Sequence, residues 1–144
     1  MAGADKLYTP ELLGLAVALA EFPPDLDLPL HGAARSKSCG STLRADIATG
    51  PDGRIARLGL QVRACAVGQA SAAIFARAAA GRTLAEIEQT HAALTDWLTG
   101  TGGLPDWPGL DAIVAARDYP GRHGAIMLPW SAARNALSST SPDR

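Results

Sequence analysis

The sequence predicts an α+β domain, a small three-stranded antiparallel sheet with helices packed on one face. Three observations predict it. Thr42, Arg44 and Asp46 alternate with Leu43, Ala45 and Ile47, and Ala56, Leu58, Leu60 and Val62 alternate with Arg57, Gly59, Gln61 and Arg63. That two-residue period is the period of a half-buried strand. Between the two runs, Thr49-Gly50-Pro51-Asp52-Gly53 is turn sequence, too short for a parallel crossover. From Cys65 onward the apolar residues recur at helical spacing instead, and strands followed by helices is the order of an α+β fold.

Each element can be justified in turn. Thr9-Pro10-Glu11 starts a helix, with Thr as N-cap, Pro in the first turn and an acid near the positive end of the dipole. Leu12, Leu15, Ala16 and Leu19 follow at helical spacing until Pro23-Pro24 ends the run, and residues 23–30 read as an extended connector. Residues 33–38 supply the third strand, which turns near Cys39-Gly40. Ala66 to Ala80 is an alanine-rich helix with Val67, Ala70, Ile74 and Ala78 on one side and Gly81 at its end. Thr83-Leu84-Ala85-Glu86 is a capping box, followed by Leu84, Ile87, Leu94, Trp97 and Leu98. Gly100 to Pro108 reads as a flexible loop, Leu110 to Ala116 as a short helix, and Leu128 to Leu137 as a last helix with Pro129 near its start.

At 144 residues the chain is expected to form one domain over 1–137, with a polar tail at 138–144. A chain of this size buries ~68–70% of its unfolded surface, so it needs no covalent staple. A net charge of −1 gives no electrostatic reason to expect nucleic acid or an anionic membrane. No stretch approaches the ~18 apolar residues of a membrane-spanning helix. With no export signal at its start and only two cysteines, the chain is expected in the reducing cytoplasm.

Those two cysteines are the main functional clue. Cys39 lies in Ser-Cys-Gly-Ser, between two strands, and Gly40 beside it leaves room for a ligand or another sulfur to approach the backbone. Cys65 lies where the last strand gives way to the alanine-rich helix, and there the free amides, the helix dipole and Arg63 favour the thiolate. Placement alone leaves two readings open: reactive or metal-binding thiols, or ordinary packed cysteines. His91 reads as a boundary residue on an amphipathic helix, and His31 as a surface residue before the first strand. His123, in Pro-Gly-Arg-His-Gly, sits in a glycine-flanked turn that can present its ring to a site, although a solvated loop position is the simpler reading. No Gly-x-Ser-x-Gly, Lys-Ser/Thr phosphate loop, His-Glu-x-x-His or Cys-x-x-Cys is present, and no catalytic residue is assigned.

Ser38-Cys39-Gly40, the hairpin after it and Arg63-Ala-Cys65-Ala-Val-Gly-Gln-Ala-Ser71 together resemble the iron–sulfur cluster assembly scaffolds of the IscU, SufU and NifU N-domain family. Tyr119-Pro120-Gly121-Arg122 and Leu128-Pro129-Trp130 resemble the SufU-type ending. The resemblance implies a non-enzymatic scaffold that binds and transfers an iron–sulfur cluster, [2Fe–2S] by type; the alternatives are a zinc-binding sulfur acceptor or modulator of a cysteine desulfurase, and a metal-free interaction domain with structural cysteines. It implies a cysteine desulfurase and recipient apo-proteins as partners. Its metal ligands would be Cys39, Cys65 and His123, with Ser41, Gly40 and Arg122 as neighbours or substitutes. The chain departs from the family at two ligand positions. Ser41 stands where the family has aspartate, and Ala125 (or Gly124, one residue shifted) stands where it has a third cysteine. A cluster with four protein ligands would then need Ser41, His31, water, a small thiol or a second copy of the chain. Two chains giving two cysteines each would make an all-thiolate site, and zinc accepts the same Cys/His donors.

Overall fold

A computed structural model describes residues 7–37 and 40–139. Three strands, β1 (Leu30–Arg35), β2 (Thr42–Thr49) and β3 (Ile55–Arg63), form one antiparallel meander in the order β1-β2-β3. Four α-helices accompany them: α1 (Pro10–Ala18), α2 (Ala66–Ala79), α3 (Leu84–Thr99) and α4 (His123–Ser138), with 3₁₀ turns at Leu19–Glu21, Leu110–Asp118 and Pro120–Arg122. None of the described helices is long and apolar enough to cross a membrane.

The register explains why one face of the sheet is core. Leu30, Ile47 and Leu58 line up across the strands, then Gly32, Ala45 and Leu60, then Ala34, Leu43 and Val62. These rows face the helices, with Leu43, Ala45, Ile47 and Leu60 fully buried. Helix α4 lies on β1 and β2, α2 packs beside α4, and α1 and α3 flank the pair. Gly32 lets α4 settle onto the sheet, because a β-carbon there would run into the backbone of Ala132 and Ala136. Helix α2 is buried on nearly all sides, from Val67 to Ala79, and its alanines permit that close approach.

Local signals read from the sequence are realised as bonds. Thr9 Oγ1 accepts from Leu12 N, and Thr83 and Glu86 form the reciprocal capping box. Gly53 turns the β2–β3 hairpin at φ +79°, and Gly81 turns the chain from α2 into α3 at φ +86°, both in the left-handed region that glycine adopts without strain.

Four expectations are corrected. The strand expected over 33–38 runs instead from Leu30 to Arg35, so His31 is within the sheet rather than before it. The last helix begins at His123, five residues earlier than expected, and runs through Pro129. A proline cannot donate to the Ala125 carbonyl, yet tertiary packing carries the helix through, with Ser71 Oγ donating to the Ile126 carbonyl in the same turn at 2.7 Å. The Leu110 segment is a 3₁₀ helix reaching Asp118. The Gly100–Pro108 loop is pinned near its end: Trp107 is buried, donates to the Ile74 carbonyl at 3.1 Å, and stacks on Phe75 with Trp130 edge-on to both.

Candidate metal centre

Antiparallel pairing sets Arg35 opposite Thr42 and Thr42 opposite Arg63. The chain therefore enters β2 from Gly40 and leaves β3 toward Cys65 at the same end of the sheet. Adjacent strands are ~4.8 Å apart, so Gly40, just before β2, and Cys65, just after β3, belong to segments at the same end of the sheet. Cys39 and Ser38 lie outside the described residues.

Cys65 is the N-cap residue of α2 and makes no side-chain capping bond. It is partly buried at the edge of the core and carries no disulfide. Its carbonyl accepts from Gln69 N at 2.9 Å, while Gln69 Nε2 donates to the Ala64 carbonyl at 3.0 Å, so the entry into the helix is fixed from both sides. Gly40 turns at φ +72°, and a β-carbon there would meet nothing within 4 Å apart from its chain neighbours. Its amide donates to the Ser36 carbonyl, and Ser36 N donates to the Ser41 carbonyl at 2.8 Å, closing the β1–β2 connection. Ser41 is buried. Arg35, Lys37 and Arg63 are exposed at this end of the sheet, and no ion pair among the described residues engages them. The local field is cationic, which favours anionic ligands.

His123 is the first residue of α4, not part of a turn. Its Nε2–H donates to the Arg117 carbonyl at 2.7 Å, and with Thr95, Leu98, Thr99, Gly124 and Met127 it lines a shallow pocket of about 200 Å³ on the α3 side of the helix. Ala125, two residues on and so roughly 200° around the helix, faces α2. It is fully buried, and a β-carbon on Gly68 would meet its side chain at 3.2 Å. His123 and Ala125 are thus on different sides of α4. Arg122 Nη2 donates to the Tyr8 hydroxyl at 3.3 Å.

The remaining histidines are engaged elsewhere. His91 Nε2 pairs with Ser131 Oγ at 3.0 Å between α3 and α4, and burial, assisted by the Arg134 charge, lowers its pKa from the ordinary 6.5. His31 Nδ1 lies 2.8 Å from Asp46 on the sheet face away from the helices. Among the described residues, no three His, Cys, Asp or Glu side chains come together as a metal cage.

That outer face holds a cluster the sequence reading missed. Asp46 is fully buried although it alternates with core residues. The connector after Phe22 crosses over it: Leu60 N donates to the Phe22 carbonyl, Asp25 N donates to Asp46 Oδ2 at 2.9 Å, and the Pro23 carbonyl sits directly over Gly59. Arg44 completes the cluster through Nε and Nη2, at 2.8 and 2.9 Å. Burial pushes the Asp46 pKa up, but the hydrogen bonds from Arg44, His31 and Asp25 outweigh it and hold the carboxyl below its ordinary 3.8. Gly59, a glycine inside a strand and opposite Asp46, was the available signal, since such glycines mark close backbone approach.

Among the solved structures that resemble this chain, three match over most of its length. The N-terminal region of a nitrogen-fixing NifU-like protein from Brucella abortus matches with a TM-score of 0.85 at 25% identity, covering 96% of this chain and 99% of that one. A SUF-system protein described as a putative iron–sulfur cluster assembly scaffold, from Fervidobacterium islandicum AW-1, matches at 0.78 and 17% identity, covering 91% and 96%. The chain has the IscU/SufU/NifU fold. A hypothetical protein of the same shape matches at 0.64 and 15% identity, covering 88% and 96%. No family model and no curated protein matches the sequence.

Within the IscU/SufU/NifU fold, the departures at ligand positions acquire a physical setting. Ala125, aligned with the family's third cysteine, lies against Gly68, one turn beyond Cys65. The side chain there is a methyl group sealed between two helices. Trp130, from the SufU-like ending, is a core residue inside the aromatic cluster.

Proposed function

We propose that this chain is a scaffold-type carrier in iron–sulfur cluster assembly, with Cys39 and Cys65 as cluster ligands. The observation that supports it most is that Gly40, next in sequence to Cys39, and Cys65 belong to segments at the same end of the sheet, in a fold shared with a NifU-like domain and a SUF-system scaffold. Cys65 caps a 14-residue helix beside exposed cations, a setting whose positive charge complements an anionic cluster. The cluster is cargo, and the protein carries it without turning over a small substrate. A sulfur-supplying cysteine desulfurase and cluster-accepting apo-proteins are the partners this reading requires. It places the protein in the cytoplasm, where thiols stay reduced.

Anaerobic incubation with ferrous iron and sulfide tests the reading. The parent is expected to retain iron and acid-labile sulfide and to show visible absorption bands. A Cys39→Ala, Cys65→Ala double variant with unchanged circular dichroism is expected to retain neither. Zinc bound without a chromophore, or equal iron in parent and variant, would contradict it.

A further inference from the structure

We propose that the open groove between α1 and β3 docks a basic amphipathic helix of a partner protein. The proposal goes beyond the carrier reading and stands whether or not the cysteines hold a metal.

Helix α1 is exposed along one side yet has no polar face. Of its nine residues only Leu12 is fully buried, and Glu11 is the only charged one. A surface helix ordinarily turns charged and polar residues to water. Here Leu13 and Val17, one turn apart, are 46% and 76% exposed instead. Exposed apolar residues scattered singly need no explanation, but a ridge that borders an apolar groove marks an interaction site. Val17 lines such a groove, about 520 Å³ in volume, together with Ala20, Phe22, Pro24, Val62 and Gln69.

The edge of β3 limits how a partner can enter. Ile55 is already bonded to Gly81 and Arg82, and Leu60 N donates to the Phe22 carbonyl, so a continuous strand cannot be added along it. A docking segment must bind through side chains. A helix does so by laying anchors at i, i+3, i+4 and i+7 along a ridge and groove.

The surrounding charge selects the kind of helix. From Leu7 to Leu30 the chain carries four acids, Glu11, Glu21, Asp25 and Asp27, and no Lys, Arg or His. Glu21 lies between Ala20 and Phe22 in sequence, and Asp25 follows Pro24, so acids are interleaved with the lining. Glu11, Glu21 and Asp27 are exposed. Arg44 reaches the groove through Gln61 Oε1, but its Nε and Nη2 are held by the buried Asp46. Arg63 alternates to the sheet face opposite Val62. Positive side chains flanking apolar anchors complement this rim. A second copy of the chain would set the same four acids against each other, and an anionic membrane would meet the same repulsion.

Fluorescence anisotropy with a labelled peptide of leucine and lysine at amphipathic helical spacing tests the proposal, against the same peptide with glutamate in place of lysine. The lysine peptide is expected to bind at least about tenfold more tightly than the glutamate peptide, and to weaken as salt rises. A Leu13→Ser, Val17→Ser double variant is expected to lose about tenfold or more in affinity for it. A Glu21→Gln, Asp27→Asn double variant, altered only at exposed carboxylates, is expected to bind with a reduced salt dependence. Equal affinity for the two peptides, or binding untouched by the serine substitutions, would overturn the proposal. A parent dimer in light scattering that the serine variant converts to monomer would overturn it in favour of a second copy. Sedimentation with phosphatidylcholine vesicles, lost in the serine variant, would overturn it in favour of a lipid surface.

Discussion

Asp46→Ala is expected to destabilise the protein by about 3–5 kcal/mol, the range for stripping one partner from a buried charged cluster. The carboxylate is fully buried and bonded by Arg44, His31 and the Asp25 amide. Its removal leaves the guanidinium and the amide of the overlying connector without their acceptor. Denaturant unfolding followed by circular dichroism measures the effect, and a loss below about 1 kcal/mol would show the cluster to be solvated and loosely held. The pH dependence has a definite sign. Asp46 has a folded-state pKa below the ordinary 3.8, so its contribution is fully present above that value and is lost as pH falls through the lower folded value. Asp46→Asn should lack this component of acid destabilisation while keeping the side-chain shape.

Gly32→Ala carries the second large effect. A single methyl group at this position would be driven into the α4 backbone at Ala132 and Ala136, and backbone yields far less readily than a side-chain end. The cost is expected to reach or exceed ~3 kcal/mol, the upper end of ordinary overpacking, which lowers the melting temperature by roughly 10 °C in a domain of this size. Gly14→Ala is the control, because nothing lies within 4 Å of a β-carbon there. Equal melting temperatures for the two variants would mean that α4 does not rest on β1 as closely as described.

The sheet and the helix starts were legible because they are local. Alternation over 42–63 named both faces of the β2–β3 hairpin, and Thr83 with Glu86 named the start of α3 from four residues. What depends on distant chain was not legible. Periodicity assigns Asp46 to the polar face, but only the fold shows that the connector after Phe22 covers that face and buries the carboxylate. Pro129 suggested a helix start because proline disfavours helix interiors, whereas packing on β1 and α2 holds α4 helical from His123. Trp107 looked like part of a loose glycine-rich loop and is a core residue, since one indole can anchor a segment that has no periodicity of its own. At the candidate site, Cys65 at the helix N-terminus was read correctly from the strand-to-helix change. The turn expected around His123 was not, because the helix boundary had been misplaced and with it the direction of the imidazole.

The central claim is that the two cysteines of one chain share a site at the end of the sheet. The most direct measurement is capture by a trivalent arsenical such as phenylarsine oxide, which forms a stable adduct only when two thiolates lie close enough to bind one arsenic. Denaturing mass spectrometry should find one arsenic on the 14.8 kDa parent chain and none on Cys39→Ala or Cys65→Ala. A parent chain that takes up no arsenic while both thiols remain reduced and reactive to a monofunctional reagent would contradict the account.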